Sequence, residues 1–251
     1  MTDKKFRAWI IVPCYNEEKR LRPRCFAEYI SSREDVGFCF VNDGSCDGTM
    51  DVLRRIVAPF PGRTAILDLK TNGGKGEAVR AGVRHVSEFV SSEYIGFWDA
   101  DLATPLGEID DFLDILDSGE GFVVTSGSRI PRMGAFIERT PLRDLEGRIF
   151  ASLSSGILGL KFRDTQCGAK LFDSSLAADV FGRPFISRWC FDVELFARLR
   201  DILGPSRMKR EVCEVPLKRW TEVAGSKVTL GGTICMILDL GRILLYYGRA
   251  A

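Results

Sequence analysis

Two aspartates stand two positions apart in WDADLATP (98–105): Asp99 and Asp101 follow the apolar run YIGF and precede Pro105. If the strand breaks into a loop between them, both can reach one divalent ion, and hard cations such as Mg²⁺ or Mn²⁺ prefer carboxylate oxygen. Two carboxylates rarely complete the shell. Waters and substrate phosphates usually fill it, so the pair implies a phosphate-bearing ligand. By itself the pair could equally be a capped turn and a solvated acid, because aspartate is common in turns. NDGSCDGT (42–49) adds Asp43 at a strand end, ahead of Gly44, Ser45, Asp47, Gly48 and Thr49, in a loop able to hold a base or ribose. It could also be an ordinary βα turn. GGKGEAVRAG (73–82) supplies Gly73, Gly74 and Gly76 for close backbone approach, Lys75 as a point charge, and a helix N-terminus suited to an anion. It lacks both the GxxxxGK[ST] and the GxGxxG spacing, which removes the main support for ATPase and dehydrogenase readings.

The elements that must position these groups follow from periodicity. Short apolar runs alternate with amphipathic stretches over the first 125 or so residues, the pattern of βαβ units around a parallel sheet. Strands are expected at 8–13, 37–42, 64–69, 94–99 and 122–127, and helices near 17–32, 48–57, 75–91 and 106–118, the last with Thr104 as N-cap and Pro105 at its first position. In such sheets ligands gather at the carboxyl ends of the strands, which is where PCYNEE, NDGSCDGT, the glycine-lysine loop and DADLATP all fall. Beyond residue 128 the alternation weakens into an arginine-rich stretch, 129–148, and then a helix rich in small residues. A turn and strand at 162–172, a helix at 187–203 and a strand at 209–220 follow. Residues 230–248 read as an apolar helix whose charges, Asp239 and Arg242, fall on one face as a narrow polar stripe.

The chain has 251 residues, 35 basic and 34 acidic side chains and a net charge of +1. That balance provides no global field for nucleic acid or an anionic membrane, so any anionic ligand must be held locally. Eight cysteines without CxxC pairs and a single histidine, His85, give no zinc spacing and suit a reduced, cytoplasmic protein. The N-terminal apolar run WIIV is too short for a signal peptide or a span.

The series PCYNEE, NDGSCDGT, GGKGEAVRAG, DADLATP, GSR and DTQCGAKLF, in this order, resembles the family 2 glycosyltransferases, most closely their polyprenyl-phosphate (dolichyl-phosphate) glucosyl and mannosyl branches. The resemblance covers about residues 8–228. It implies an α/β fold of the GT-A, Rossmann-like type, with a mostly parallel central sheet and helices on both faces. The catalytic domain would span 1–228, with a nucleotide-sugar and metal half at 1–127 and an acceptor half at 128–228, followed by an amphipathic or membrane-interfacial helix at 229–251. It also implies sugar transfer from a nucleoside diphosphate to a polyprenyl phosphate with inversion. Pro13, Tyr15, Glu17, Asp43, Gly74, Lys75, Asp99 and Ala100 would then bind the nucleotide sugar, Asp99 and Asp101 would hold Mg²⁺ or Mn²⁺, and Arg129 and Arg143 would meet phosphates of donor or acceptor. Arg132, Arg139 and Arg148 could do the same or be solvated.

An anionic acceptor needs positioning more than deprotonation. Asp192 and Glu194, two apart on a helix, cannot face one direction, so at most one serves the sugar or acceptor; both could instead be solvated. Mannosyl members often carry Gln where this chain has Ala103, which tilts the donor toward UDP-glucose over GDP-mannose. Residues 218–227 lack the QxxRW of polysaccharide synthases, and WxExxGSK resembles the lipid-phosphate branch, with Lys227 a phosphate contact and Trp220 a ligand contact or a core anchor. A lipid acceptor implies peripheral membrane contact at a cytoplasmic face, to which the last helix could contribute unless it packs on the domain or on a second copy in a homodimer. The rival readings are transfer to a sugar hydroxyl, a non-catalytic nucleotide-sugar binder, and a sugar-1-phosphate nucleotidyltransferase, the last disfavoured by PCYNEE in place of a glycine-rich first loop.

Overall fold

The structure is a computed structural model that describes residues 5–223 and 230–248. In chain order its elements are β1 (Phe6–Cys14), α1 (Pro23–Ser32), β2 (Val36–Asp43), α2 (Thr49–Val57), β3 (Thr64–Leu69), α3 (Lys75–Phe89), β4 (Ser92–Trp98), α4 (Glu108–Leu116), β5 (Val124–Ser128), β6 (Phe136–Glu138), α5 (Pro141–Leu158), β7 (Ala169–Asp173), α6 (Ser174–Val180), α7 (Phe191–Glu211), β8 (Val212–Pro216), β9 (Arg219–Thr221) and α8 (Leu230–Tyr247). They form two compact units, Met1–Asp111 with Gly168–Pro184, and Phe112–Cys167 with Phe185–Ala251.

The first unit holds the strand order β3-β2-β1-β4-β7. The first three pairings are parallel and β4 meets β7 antiparallel. Every residue of β2 is buried, as a parallel strand covered on both faces requires. Alternation along that strand divides its contacts. Phe38 and Phe40 meet Phe26 of α1 edge-on, whereas Val41, with Ile11 of β1, lies against Gly82 of α3. Helix α3 buries Ala78, Val79, Val83 and Val86 at helical spacing. The mostly parallel sheet with helices on both faces is therefore present as expected.

In the second unit β5 pairs with β8 and β6 with β9, both parallel. Helix α7 extends to Glu211 but breaks at Gly204, whose φ of 77° precedes Pro205, a residue that cannot donate to the preceding turn.

Several boundaries differ from expectation. Helix α1 starts at Pro23, because residues 17–22 fold as turns closed by Arg20 and Leu21 amides on the Glu17 carbonyl. Thr104 is no N-cap: α4 begins at Glu108, after i→i+3 bonds from Glu108 to Pro105 and from Ile109 to Leu106. Asp99 lies just past β4, and the single strand expected at 209–220 is two strands, separated at residues 217–218. Asp239 does not belong to a solvated stripe. It is buried and accepts the backbone N–H groups of Arg188 and Trp189 at 3.0 and 2.8 Å.

Candidate active site

Within the first unit the polar strand ends form one connected network. The backbone N–H of Asp99 donates to the Gly168 carbonyl at 2.9 Å, which extends the β4–β7 pairing by one residue and fixes where the DADLA turn begins. Leu102 takes a left-handed φ of 54°, a conformation that costs a branched side chain free energy and is retained only where the surroundings impose it. Its amide returns to the Asp99 carbonyl, while the Ala103 amide donates to Asp101 Oδ1 at 3.1 Å. Trp98 anchors the far side through Nε1 to the Thr104 carbonyl at 2.9 Å. The turn is thus tied at Asp99, Asp101 and Thr104.

Two cations attend the carboxylates. Lys75 Nζ lies 2.5 Å from Asp99 Oδ1, and Arg20 Nη1 lies 3.7 Å from Asp101 Oδ2. Burial and the adjacent Asp99 charge nevertheless hold the Asp101 carboxyl above the ordinary aspartate range, against the lowering effects of the Ala103 amide, Arg20 and Lys75. Such a pair attracts further positive charge. No group of three or more His, Cys, Asp or Glu able to hold a metal exists among the described residues. The donor set is two hard oxygens, which fits a divalent ion completed by diphosphate and water and does not fit a structural all-protein site.

The neighbouring walls come from the other strand ends. Asp43, buried at the end of β2, accepts the amides of Gly73 and Gly74 at 2.8 and 2.9 Å and Asn72 Nδ2 at 3.0 Å. Gly74 has a φ of 90°, open to glycine and strained for other residues, and this brings Lys75 to the start of α3. Asp43 therefore shapes the loop that presents Lys75. PCYNEE and NDGSCDGT are stitched together: Asn16, with φ 50°, donates from its amide to Ser45 Oγ and accepts from the Cys46 amide, each at 3.0 Å, and the Glu17 amide donates to Thr49 Oγ1 at 2.7 Å. Glu17 is buried and paired with Arg20. Pro13 and Tyr15 are half-buried beside it and Ala100 is buried. Lys170, which the sequence reading passed over, is fully buried on β7 with Nζ 5.3 Å from the Phe97 ring centre; Lys75 lies 5.8 Å from the same ring.

The second unit carries a separate basic cluster. Arg129 donates from Nε and Nη2 to Asp164 at 2.6 and 2.8 Å, and its amide donates to Asp164 Oδ2 at 3.0 Å. Asp164, unnoticed as an acid although it opens DTQCGAKLF, is itself placed by its amide on Glu214 at 2.9 Å. Arg143 pairs with Glu222 at 2.5 Å and Arg148 with Asp144 at 2.7 Å, while Arg132 donates to the Pro216 carbonyl at 3.1 Å. Arg139 differs. It lies 5.9 Å from the Trp220 ring centre, with Arg129 at 5.5 Å from the same ring, and no carboxylate among the described residues pairs with it. Its Nε is buried and unbonded, and burial together with the Arg129 charge presses its pKa below the usual guanidinium value. Trp220 is half-exposed and holds cations, so it is no core anchor. Asp192 is buried in the first turn of α7. Glu194 is not solvated: it accepts the Ser187 amide at 2.9 Å and pairs with Arg198 at 2.7 Å. Lys227 lies outside the described residues.

Residues 9–181 match the Glycosyl transferase family 2 profile. The dolichyl-phosphate beta-glucosyltransferase ALG5C of Trichomonas vaginalis is 36% identical over 94% of this chain and 70% of its own length. The human dolichyl-phosphate beta-glucosyltransferase is 30% identical over 94% and 73%. Among solved structures, glucosyl-3-phosphoglycerate synthase of Mycobacterium tuberculosis in complex with UDP superposes with a TM-score of 0.68 at 18% identity, covering 96% of this chain and 80% of that one. The mannosyltransferase PcManGT of Pyrobaculum calidifontis, in complex with GDP-Man and Mn²⁺, gives 0.65 at 16% identity, covering 99% and 66%. With a GT-A architecture, a DxD turn at the end of β4 and a profile match over most of its length, the chain belongs to glycosyltransferase family 2.

Proposed function

We propose that this protein is a hexosyltransferase that moves glucose from UDP-glucose to a polyprenyl, dolichyl-type phosphate, with inversion at the anomeric carbon. The observation that carries the reading is the Asp99–Asp101 turn flanked by Lys75 and Arg20. It is a constellation of two oxygen ligands and two cations suited to a diphosphate. The similarity to dolichyl-phosphate beta-glucosyltransferases supports both the sugar and the acceptor, and Ala103 in place of the mannosyl-type Gln agrees with glucose.

In the reaction the bond from the anomeric carbon to the diphosphate oxygen breaks and a bond to a lipid-phosphate oxygen forms, releasing UDP. Asp99 and Asp101 would hold Mg²⁺ or Mn²⁺, which would neutralise charge developing on the departing diphosphate. Lys75 and Arg20 lie beside those carboxylates and add charge of the same sign. Asp43 keeps the loop of Lys75 in place, and the stitched β1 and β2 loops supply a rigid nucleotide floor. Arg129, Arg139 and Arg143 are the cations offered to phosphate in the second unit. The acceptor is already anionic near neutral pH, so the step draws no proton from it and Asp192 has a positioning part. On this reading the enzyme meets its lipid acceptor as a peripheral protein, and the cytoplasmic face of a membrane is the side we propose for it.

The test is to incubate the purified protein with Mn²⁺, a short polyprenyl phosphate and a panel of labelled UDP and GDP sugars. Label from UDP-glucose is expected in the lipid fraction. Label in a soluble glycan instead would favour transfer to a sugar hydroxyl, and donor binding without any lipid-linked product would overturn the proposal.

A further inference from the structure

Residues 185–190 run between α6 and α7 with no strand or helix of their own, so their backbone donors must be met by other groups. Carboxylates meet them. Glu194, in the first turn of α7, accepts the amide of Ile186 at 3.0 and 3.1 Å and that of Ser187 at 2.9 Å. Asp239, on α8, accepts the amides of Arg188 and Trp189 through one oxygen, Oδ2, at 3.0 and 2.8 Å.

Helix α8 reaches this segment along its length. Its inward side carries Asp239, Leu240, Ile243 and Tyr247, all buried, at the spacing of one helical face. An acid in such a stripe costs free energy unless its oxygens are bonded, and Asp239 has Arg242 on Oδ1 at 3.2 Å besides the amides on Oδ2. Ahead of it, the Met236 carbonyl accepts from the Cys190 thiol at 3.4 Å. Beyond it, the Tyr247 hydroxyl donates to Glu194 Oε1 at 3.3 Å, beside Arg198 at 2.7 Å. An apolar side chain at 239 would fill the stripe as Leu240 and Ile243 do. What the acid adds is the hold on the backbone of Arg188 and Trp189.

That backbone leads into Asp192. The Cys190 carbonyl accepts the amides of Val193 and Glu194 at 3.0 and 3.1 Å and so starts α7, with Asp192 buried in its first turn. Trp189 and Cys190, both tied to α8, are the fixed points just before it. Burial, and then the charges of Asp239 and Asp192, push the Cys190 thiol up to about 12, which sets both acids near that sulfur.

We propose that Asp239 is a positioning residue for the acceptor: from α8 it holds the segment that sets Asp192, an inference that rests on the lipid-phosphate reading above. Helix α8 is thereby part of the acceptor half.

The test compares the wild type with Asp239→Leu, which offers the two amides no acceptor, and Asp239→Asn, whose carbonyl oxygen can take both. In Asp239→Leu, hydrogen exchange of the amides in 186–190 should quicken by at least about tenfold. Its kcat/KM for polyprenyl phosphate should fall by about ten- to a hundredfold, chiefly through KM. Mn²⁺-dependent UDP binding, whose proposed residues lie in the first unit, should keep its Kd. Asp239→Asn should restore most of the transfer together with slow exchange. Should the leucine variant not fold by circular dichroism, Asp239→Ser, too short to reach the amides, is measured in its place. Unchanged exchange or unchanged acceptor kinetics in a folded variant lacking the carboxamide or carboxylate would overturn the proposal. So would equal losses in the Leu and Asn variants, loss of UDP binding in step with transfer, or failure of both Leu and Ser variants to fold, each of which gives Asp239 a purely structural part. No lipid-linked sugar from the wild type would sink the lipid-phosphate reading instead, whatever the exchange result.

Discussion

The Asp99 carboxylate lies directly over the Cα of Gly168, so close that a Cβ there would stand 1.9 Å from Asp99 Oδ2. The two residues are joined by the Asp99 amide on the Gly168 carbonyl, so neither can retreat without breaking the end of the β4–β7 ladder. Gly168→Ala should therefore displace the Asp99 side chain. An error of about 1 Å in such a group can cost about 100-fold in rate, and a loss of that order in transfer is expected, with weaker Mn²⁺-dependent UDP binding by calorimetry. Unchanged kinetics in a folded Gly168→Ala variant would show that Asp99 does not need its place.

Asp101 predicts a pH dependence. Its carboxyl titrates above the ordinary aspartate range because of burial and Asp99, and a divalent ion binds only the ionised form. Mn²⁺ affinity in the presence of UDP should accordingly fall as pH drops through that raised range and level off above it. The stability sign is opposite. A raised pKa in the fold means the charged form costs stability at neutral pH, so Asp101→Asn should be at least as stable as the wild type while losing the pH-dependent metal binding. Titration calorimetry and chemical denaturation across pH measure both.

Asp43 is expected to behave as the strut of the lysine loop. Asp43→Ala leaves the amides of Gly73 and Gly74 and the Asn72 side chain without their acceptor, a loss of about 1–3 kcal/mol in denaturant unfolding. It should also free Lys75 from Asp99. Lys75→Met, which removes only the charge, should reduce transfer at little cost in stability, so the pair of variants separates loop support from charge.

Arg129 and Arg139 should part company in the same way. Arg129→Ala strands Asp164, which is buried and bidentately paired, and should lower stability by about 2–4 kcal/mol as well as impairing activity. Arg139→Gln breaks no ion pair among the described residues, only the bond from Nη2 to the Arg143 carbonyl at 3.2 Å. It should shift stability by less than about 1 kcal/mol and instead raise the KM for the phosphate acceptor, by about tenfold, with kcat nearly kept. Equal losses in the two variants would assign Arg139 a structural role.

Much of this was legible in the chain. The first five strands and their helices announce themselves because apolar alternation and turn residues are local signals, and Asp43, Lys75, Asp99 and Asp101 stand out because they sit where such strands end. Partners at long range do not show in that way. Nothing in DTQCGAKLF by itself says that Asp164 will clamp Arg129 or that Gly168 must be glycine to admit Asp99; both depend on chain 35 to 69 residues away in sequence. Glu194 and Asp239 read as surface charges on helical wheels, yet each is buried on backbone amides of the segment near 186–189, a contact that helical periodicity cannot report.

The central claim is that the aspartate pair at the end of β4 serves transfer of glucose to a lipid phosphate. It is tested most directly by wild-type and Asp101→Asn protein incubated with labelled UDP-glucose, Mn²⁺ and polyprenyl phosphate, with the lipid fraction counted and the fold checked by circular dichroism. Labelled lipid from the wild type and none above background from a folded Asp101→Asn variant is the predicted result. Near-normal labelling by Asp101→Asn would contradict it.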